Sequence, residues 1–125
     1  MSTDTATGTL KASVGEAKLD PWPLAPEQVA EGDPQASGTI LWKSTDSRLC
    51  NGIWECSPGT FDWVHAEETA CLVAGRVTVT PEGEEAMEIA TGDLVFFPEG
   101  TKTRWQVHET VRKAFHLRSS EPLPF

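Results

Sequence analysis

"GDLVFFPEGTKT", Gly92–Thr103, is the stretch that decides the fold. A glycine and an aspartate open it, four apolar residues follow, and Pro98 and Gly100 then break the chain before polar and apolar residues begin to alternate through Val107. Glycine and proline punctuate turns, a short apolar run between turns is a buried strand, and period two marks a half-buried one.

The same rhythm extends in both directions. Upstream lie "TILWKS" (39–44), "RLCNGIWEC" (48–56), the turn "SPGT", "FDWVHA" (61–66), "ETACLVA" (68–74), a turn at Gly75, "RVTVT" (76–80), the turn "PEGE" and "AMEIA" (86–90). Downstream, "KTRWQV" (102–107) and "VRKAFHL" (111–117) read as two strands joined by a turn at "HET". β-Branched and aromatic residues at period two, with turn signals at roughly ten-residue spacing, predict an all-β sandwich or barrel. No amphipathic helix is evident.

A chain of 125 residues has the length of one domain with one core. Its longest apolar runs are about four to five residues, far below the ~18 of a membrane-spanning helix. Met1–Asp20 carries no basic start followed by an apolar core, so the sequence reads as cytoplasmic. The reading divides the chain into residues 1–27, a disordered or extended proline-rich arm; 28–117, the barrel; and 118–125, an extended tail. Asp20–Gly38 holds four prolines in nineteen residues, too many for a regular helix or a central strand. Trp22 and Leu24 are placed to pin this segment to the barrel.

Ten basic and nineteen acidic residues give a net charge of −9, which repels nucleic acid and anionic membranes, and neither is expected as a partner. Lys102, Arg104, Arg112 and Lys113 read as solvated faces of two strands. Cys50, Cys56 and Cys71, odd in number and without C-x-x-C spacing, suit neither a disulfide framework nor a structural zinc site, and read as small buried apolar residues.

These residues resemble the cupin superfamily, and the resemblance implies a jelly-roll β-barrel, the double-stranded β-helix, with a small lumen. Gly92, Pro98 and Gly100 match the start of the motif G-x5-P-x-G-x2-H-x3-N; Glu68 and Gly75 match the E-x6-G end of the other motif. Trp105 and Val111–Lys113 are similar to the branch named after the (S)-ureidoglycine aminohydrolase cupin domain, over roughly Gln28–Leu117. The resemblance implies three histidines and one glutamate converging on a divalent metal. Here Glu68 matches the glutamate, Thr103 replaces one histidine, and the other two positions are Asp62 and Val64, or Phe61 and Trp63. No metal cofactor is therefore expected; weak divalent binding, if any, falls to His65 and Glu68, with a bend at Ala66 turning His65 inward.

If Thr103 faces the lumen, Trp105 and Val107 follow it, while Lys102, Arg104 and Gln106 face out. Glu68 inward puts Ala70 and Leu72 inward and Cys71 outward. Of the remaining histidines, His108 sits in the "HET" turn and His116 alternates with inward Phe115. Trp54, Trp63, His65, Phe97, Thr103 and Trp105 are the expected ligand-binding residues, with Trp54 or Cys56 contributed by "GIWEC". Glu68 is the expected catalytic residue, a general base if its carboxyl is unpaired and its pKa raised, a structural residue if Arg76, Arg104 or a backbone donor satisfies it. Filling a small barrel with tryptophan is the alternative use of the same residues. Two functions are consistent with this pattern. One is an aminohydrolase-like cupin, binding or converting a small polar metabolite such as a ureide or sugar derivative. The other is a non-catalytic small-molecule-binding or scaffold cupin with Trp22 and Trp42 at an interface. A homodimer is expected under both.

Overall fold

The computed structural model describes residues 8–125; the first seven residues of the expected arm lie outside the described residues. Among the described residues nine strands form: β1 (Asp20–Pro21), β2 (Val29–Glu31), β3 (Ala36–Lys43), β4 (Leu49–Cys56), β5 (Gly59–Val64), β6 (Glu67–Pro81), β7 (Met87–Ala90), β8 (Leu94–Phe97) and β9 (Lys102–Arg118). The only helical element among the described residues is a 3₁₀ turn at Pro26–Gln28. None of these elements is a helix long and apolar enough to cross a membrane.

Two long strands organise the curled sheet of this cupin-type jelly roll. β9 pairs along one side with β6, and along the other with β5 through its first half and β4 through its second. β6 in turn takes β8 along its first half and β7 along its second. The sheet therefore has two places where the sequence suggested turns and the chain continues instead. "ETACLVA" and "RVTVT" are one strand, and so are "KTRWQV" and "VRKAFHL".

The physical reason at Gly75 is a β-bulge. Its φ is +85°, and a Cβ there would lie 2.1 Å from Thr110 O, so only glycine fits. The register shifts between Leu72 and Val77. Inward positions change accordingly from Glu68, Ala70 and Leu72 to Val77 and Val79. On β9 the inward positions stay odd throughout: Thr103, Trp105, Val107, then Val111, Lys113, Phe115 and Leu117.

That parity corrects one expectation. Lys113 does not lie on a solvated face; it is buried in the lumen, 7% exposed, two residues from inward Val111 and two from inward Phe115. Lys102 and Arg104 do face out, as does His108, whose Nε2 lies 2.6 Å from Thr78 Oγ1. Trp22 packs on its own chain, edge-on to Phe115 and Phe125.

Candidate functional site: a polar cluster inside an aromatic lumen

The chain leaves β5 at Val64 and re-enters the sheet at Glu67, bending at Ala66. His65 is fixed in the bend by two backbone hydrogen bonds: its N–H donates to Thr101 O (3.0 Å), and its carbonyl accepts from Gly100 N–H (2.8 Å). His65 is 2% exposed, and its imidazole stacks on Phe97, with centroids 4.0 Å apart and planes 10° from parallel. The bend brings His65 Nδ1 within 2.9 Å of Glu68 Oε1, while Nε2 lies 2.9 Å from Thr103 Oγ1.

Glu68 is held on its other oxygen by Lys113, whose Nζ lies 2.6 Å from Oε2. The same ammonium sits 4.8 Å from the ring centroids of both Trp54 and Trp105, a favourable position for a cation over an aromatic face. Trp105 Nε1–H donates to Thr103 Oγ1 (3.0 Å), and Trp63 O lies 3.1 Å from that hydroxyl.

Hydrogen-bond bookkeeping assigns the protons. Burial drives the Glu68 carboxyl up, but Lys113's charge and the His65 hydrogen bond outweigh it, bringing its pKa down to about 2. An ionised carboxylate only accepts, so His65 Nδ1 carries a proton. Burial holds His65 below its ordinary pKa, with Lys113 acting the same way and Glu68 opposing. The imidazole is thus neutral at pH 7, and its Nε2 accepts from the Thr103 hydroxyl. With His65 neutral, its charge no longer acts on Glu68, and the hydrogen bond and the ammonium remain.

Glu68 is consequently not the unpaired general base that burial among aromatics suggested. Its partners are His65 and Lys113 rather than Arg76 or Arg104, which pair outside with Glu109 and Asp62. Trp54, Trp63, His65, Glu68 and Trp105 line a cavity of about 490 Å³. Phe97 and Thr103 stand behind it, stacking on and hydrogen-bonding to the residues that line it. Lys113, Phe115, Trp22 and Phe125 also line the cavity; Phe115 was expected inward, Trp22 on the barrel surface or at an interface and Lys113 on a solvated face, and none of the four as a site residue. The odd-position parity of β9 is the signal that would have found Lys113.

The residues do not suit a divalent metal. Among the described residues no three His, Cys, Asp or Glu side chains converge. Asp62 is outside on Arg104, Val64 is exposed, Phe61 is core and Trp63 carries no ligand atom, so neither pair of motif-one positions supplies ligands. Both oxygens of Glu68 are engaged, one by a cation that would repel a second.

Residues 43–115 match the family of EutQ-like cupin domains. The chain belongs to that family. Among solved structures, this cupin is 30% identical to a protein of unknown function of the DUF861 family from Pseudomonas syringae, with a TM-score of 0.72, covering 81% of this chain and 44% of that one. It therefore spans less than half the length of that relative. A DUF861 family protein from Thermotoga maritima is 44% identical over 52% of this cupin and 75% of its own chain, with a TM-score of 0.50. A putative ethanolamine utilization protein Q from Salmonella typhimurium shares the fold at 24% identity and a TM-score of 0.60, over 70% of this chain and 72% of that one. No curated protein matches this cupin.

Proposed function

We propose that this cupin binds, without a metal ion, a small uncharged metabolite carrying a planar carbonyl group. The observation that carries the reading is the Lys113–Glu68 pair, 2.6 Å apart inside an aromatic cavity of about 490 Å³. An ammonium has three donors, and Glu68 takes one of Lys113's. Each oxygen of Glu68 retains a further lone pair. An adjacent donor and acceptor of this kind complement the C=O and N–H edge of an amide or ureide. The carbonyl accepts from Lys113, and the N–H donates to Glu68.

Charge and shape support the same class. Paired ammonium and carboxylate cancel, so a charged ligand would bring an uncompensated charge against aromatic walls, which is costly. Indole and phenyl walls suit a flat group with few polar points. The likeness of Trp105 and Val111–Lys113 to the ureidoglycine aminohydrolase branch points the same way. With both nitrogens of His65 engaged and Glu68 ionised, the cluster serves binding and carbonyl polarisation rather than removal of a proton from water.

The test is thermal unfolding with hydantoin, primary amides, sugars and carboxylates, each with and without EDTA. The ureide should stabilise by about 2.7 kcal/mol at a hundredfold excess over Kd, with EDTA without effect and Lys113→Met losing the response. A response abolished by EDTA and restored by manganese or zinc would overturn the reading.

The homodimer is part of the same proposal. Leu94 and Phe96 on edge strand β8 are 74% and 55% exposed, supporting an interface there. Sedimentation of the protein against Leu94→Lys tests it, and identical monomeric behaviour of both would overturn it.

A further inference from the structure

Part of the wall of the lumen lies outside the long strands of the barrel. Trp22 belongs to the arm before β2, and Leu123 and Phe125 to the tail after β9, yet all three line the cavity. Trp22 and Phe125 meet edge to face, with centroids 4.8 Å apart and planes at 67°.

Each segment is latched by polar contacts. On the arm side, β1 pairs with Ser37 and Gly38, and Trp22 N–H donates to Ala36 O (2.9 Å). Gly38 makes room for the indole: a Cβ there would lie 2.5 Å from Trp22 Cε3. Arg112, paired to Glu55 at 3.0 Å, holds the chain further back by donating to the carbonyls of Val14 and Ala17. On the tail side, Ser119 N–H and Leu123 N–H donate to Arg48 O (2.8 Å) and Ser47 O (2.7 Å). Glu99 Oε2 accepts from the Ser120 amide (3.0 Å) and hydroxyl (2.8 Å), and Lys43 Nζ donates to Phe125 O (2.9 Å).

The two sides differ in strength. Arm and barrel share a strand ladder, whereas the tail past Ser119 is irregular, with Leu123 and Phe125 half-buried and its latch on exposed Glu99. Segments with few buried contacts and solvent-exposed hydrogen bonds open at little cost.

We propose that Trp22 and Phe125 form an aromatic gate that selects ligands of the lumen by size, with the tail as its moving half and Glu99 as its latch. Trp22 is the fixed jamb. The gate rests on the reading of the lumen as a ligand site, and it predicts that a small planar molecule passes where a bulkier neutral one is excluded until the tail unlatches.

The experiment uses the full chain labelled with 5-fluorotryptophan, whose five resonances separate lumen positions Trp54 and Trp105 from Trp42 outside. The neutral nitroxide TEMPOL is the probe. In the wild type it should broaden Trp42 and spare Trp105. In Glu99→Ala and in Phe125→Ala, broadening at Trp105 should rise about threefold with Trp42 unchanged, as expected for a local opening. Gly38→Ala, which displaces Trp22 from the other side, should act in the same direction. Equal broadening of Trp105 in wild type and variants would overturn the gate, and so would a wild-type Trp105 as accessible as Trp42. Hydantoin binding is measured on the same samples. If no sample binds hydantoin while TEMPOL still distinguishes them, the ligand assignment fails and the gate stands; if hydantoin binds but TEMPOL distinguishes nothing, the gate fails alone.

Discussion

Lys113→Met removes the ammonium and keeps the length and apolar stem of the side chain. In the wild type the Glu68 pKa falls from 4.5 to about 2, worth roughly 3 kcal/mol of stability at about 1.4 kcal/mol per unit. Because the folded pKa is the lower one, that contribution is present above pH 4.5 and lost as pH falls towards 2. Without Lys113, burial becomes the dominant influence on Glu68, the folded pKa rises, and the lumen takes up one proton, on Glu68 or on His65. The variant's stability then decreases as pH rises through that pKa, opposite in sign to the wild type. Urea denaturation at half-unit steps from pH 3 to 8 measures both profiles. At pH 7 the variant should lose about 3 kcal/mol, near the cost of breaking a buried pair, which moves the urea midpoint by about 1.5 M for an m-value of about 2 kcal/mol/M. Lys113→Met with Glu68→Gln, which empties the lumen of charge, should recover part of the loss. Parallel profiles for wild type and single variant, or no recovery in the double, would refute the assignment of Glu68 as an ion held by Lys113.

Two further outcomes follow from the same cluster and core. Thr103→Val leaves Trp105 Nε1–H and His65 Nε2 without their shared partner, which should cost about 1–3 kcal/mol in denaturation, whereas Thr103→Ser should stay close to wild type; equal losses would show that volume and not the hydroxyl matters. Burial pushes the Cys50 and Cys56 thiols up to about 11 and about 12, so at pH 8 Ellman's reagent should titrate Cys71 quickly and the other two only after unfolding; three fast thiols would contradict the buried positions.

The fold was legible because backbone requirements repeat locally. Gly92, Pro98 and Gly100 mark turns wherever they stand, and the alternation from Lys102 to Val107 states which side chains share a face. Gly75 was legible only as a break in pattern. Whether such a glycine turns the chain back or inserts a bulge into a continuous strand depends on a neighbour, here the carbonyls of Glu109 and Thr110, 34 and 35 residues away.

The candidate site divides along the same line. Thr103 in place of a histidine, Glu68 on β6 and the inward run of Trp105 are properties of strand parity, which the chain carries within itself. Parity also pointed at Lys113, between inward Val111 and Phe115, but a charged residue on a strand is ordinarily solvated, and nothing local overrides that preference. The override is tertiary. The β6–β9 register sets Glu68 opposite Leu117 and Leu72 opposite Lys113, so the ammonium reaches back along the inner face of the neighbouring strand to the carboxylate. By itself, then, the sequence determined the barrel and most of its inward faces, because these follow from local geometry at period two. Only the tertiary structure decided that the lumen holds a neutralised ion pair, with Trp22 and Phe125 in its wall, because the energy of a buried charge depends on which distant group meets it.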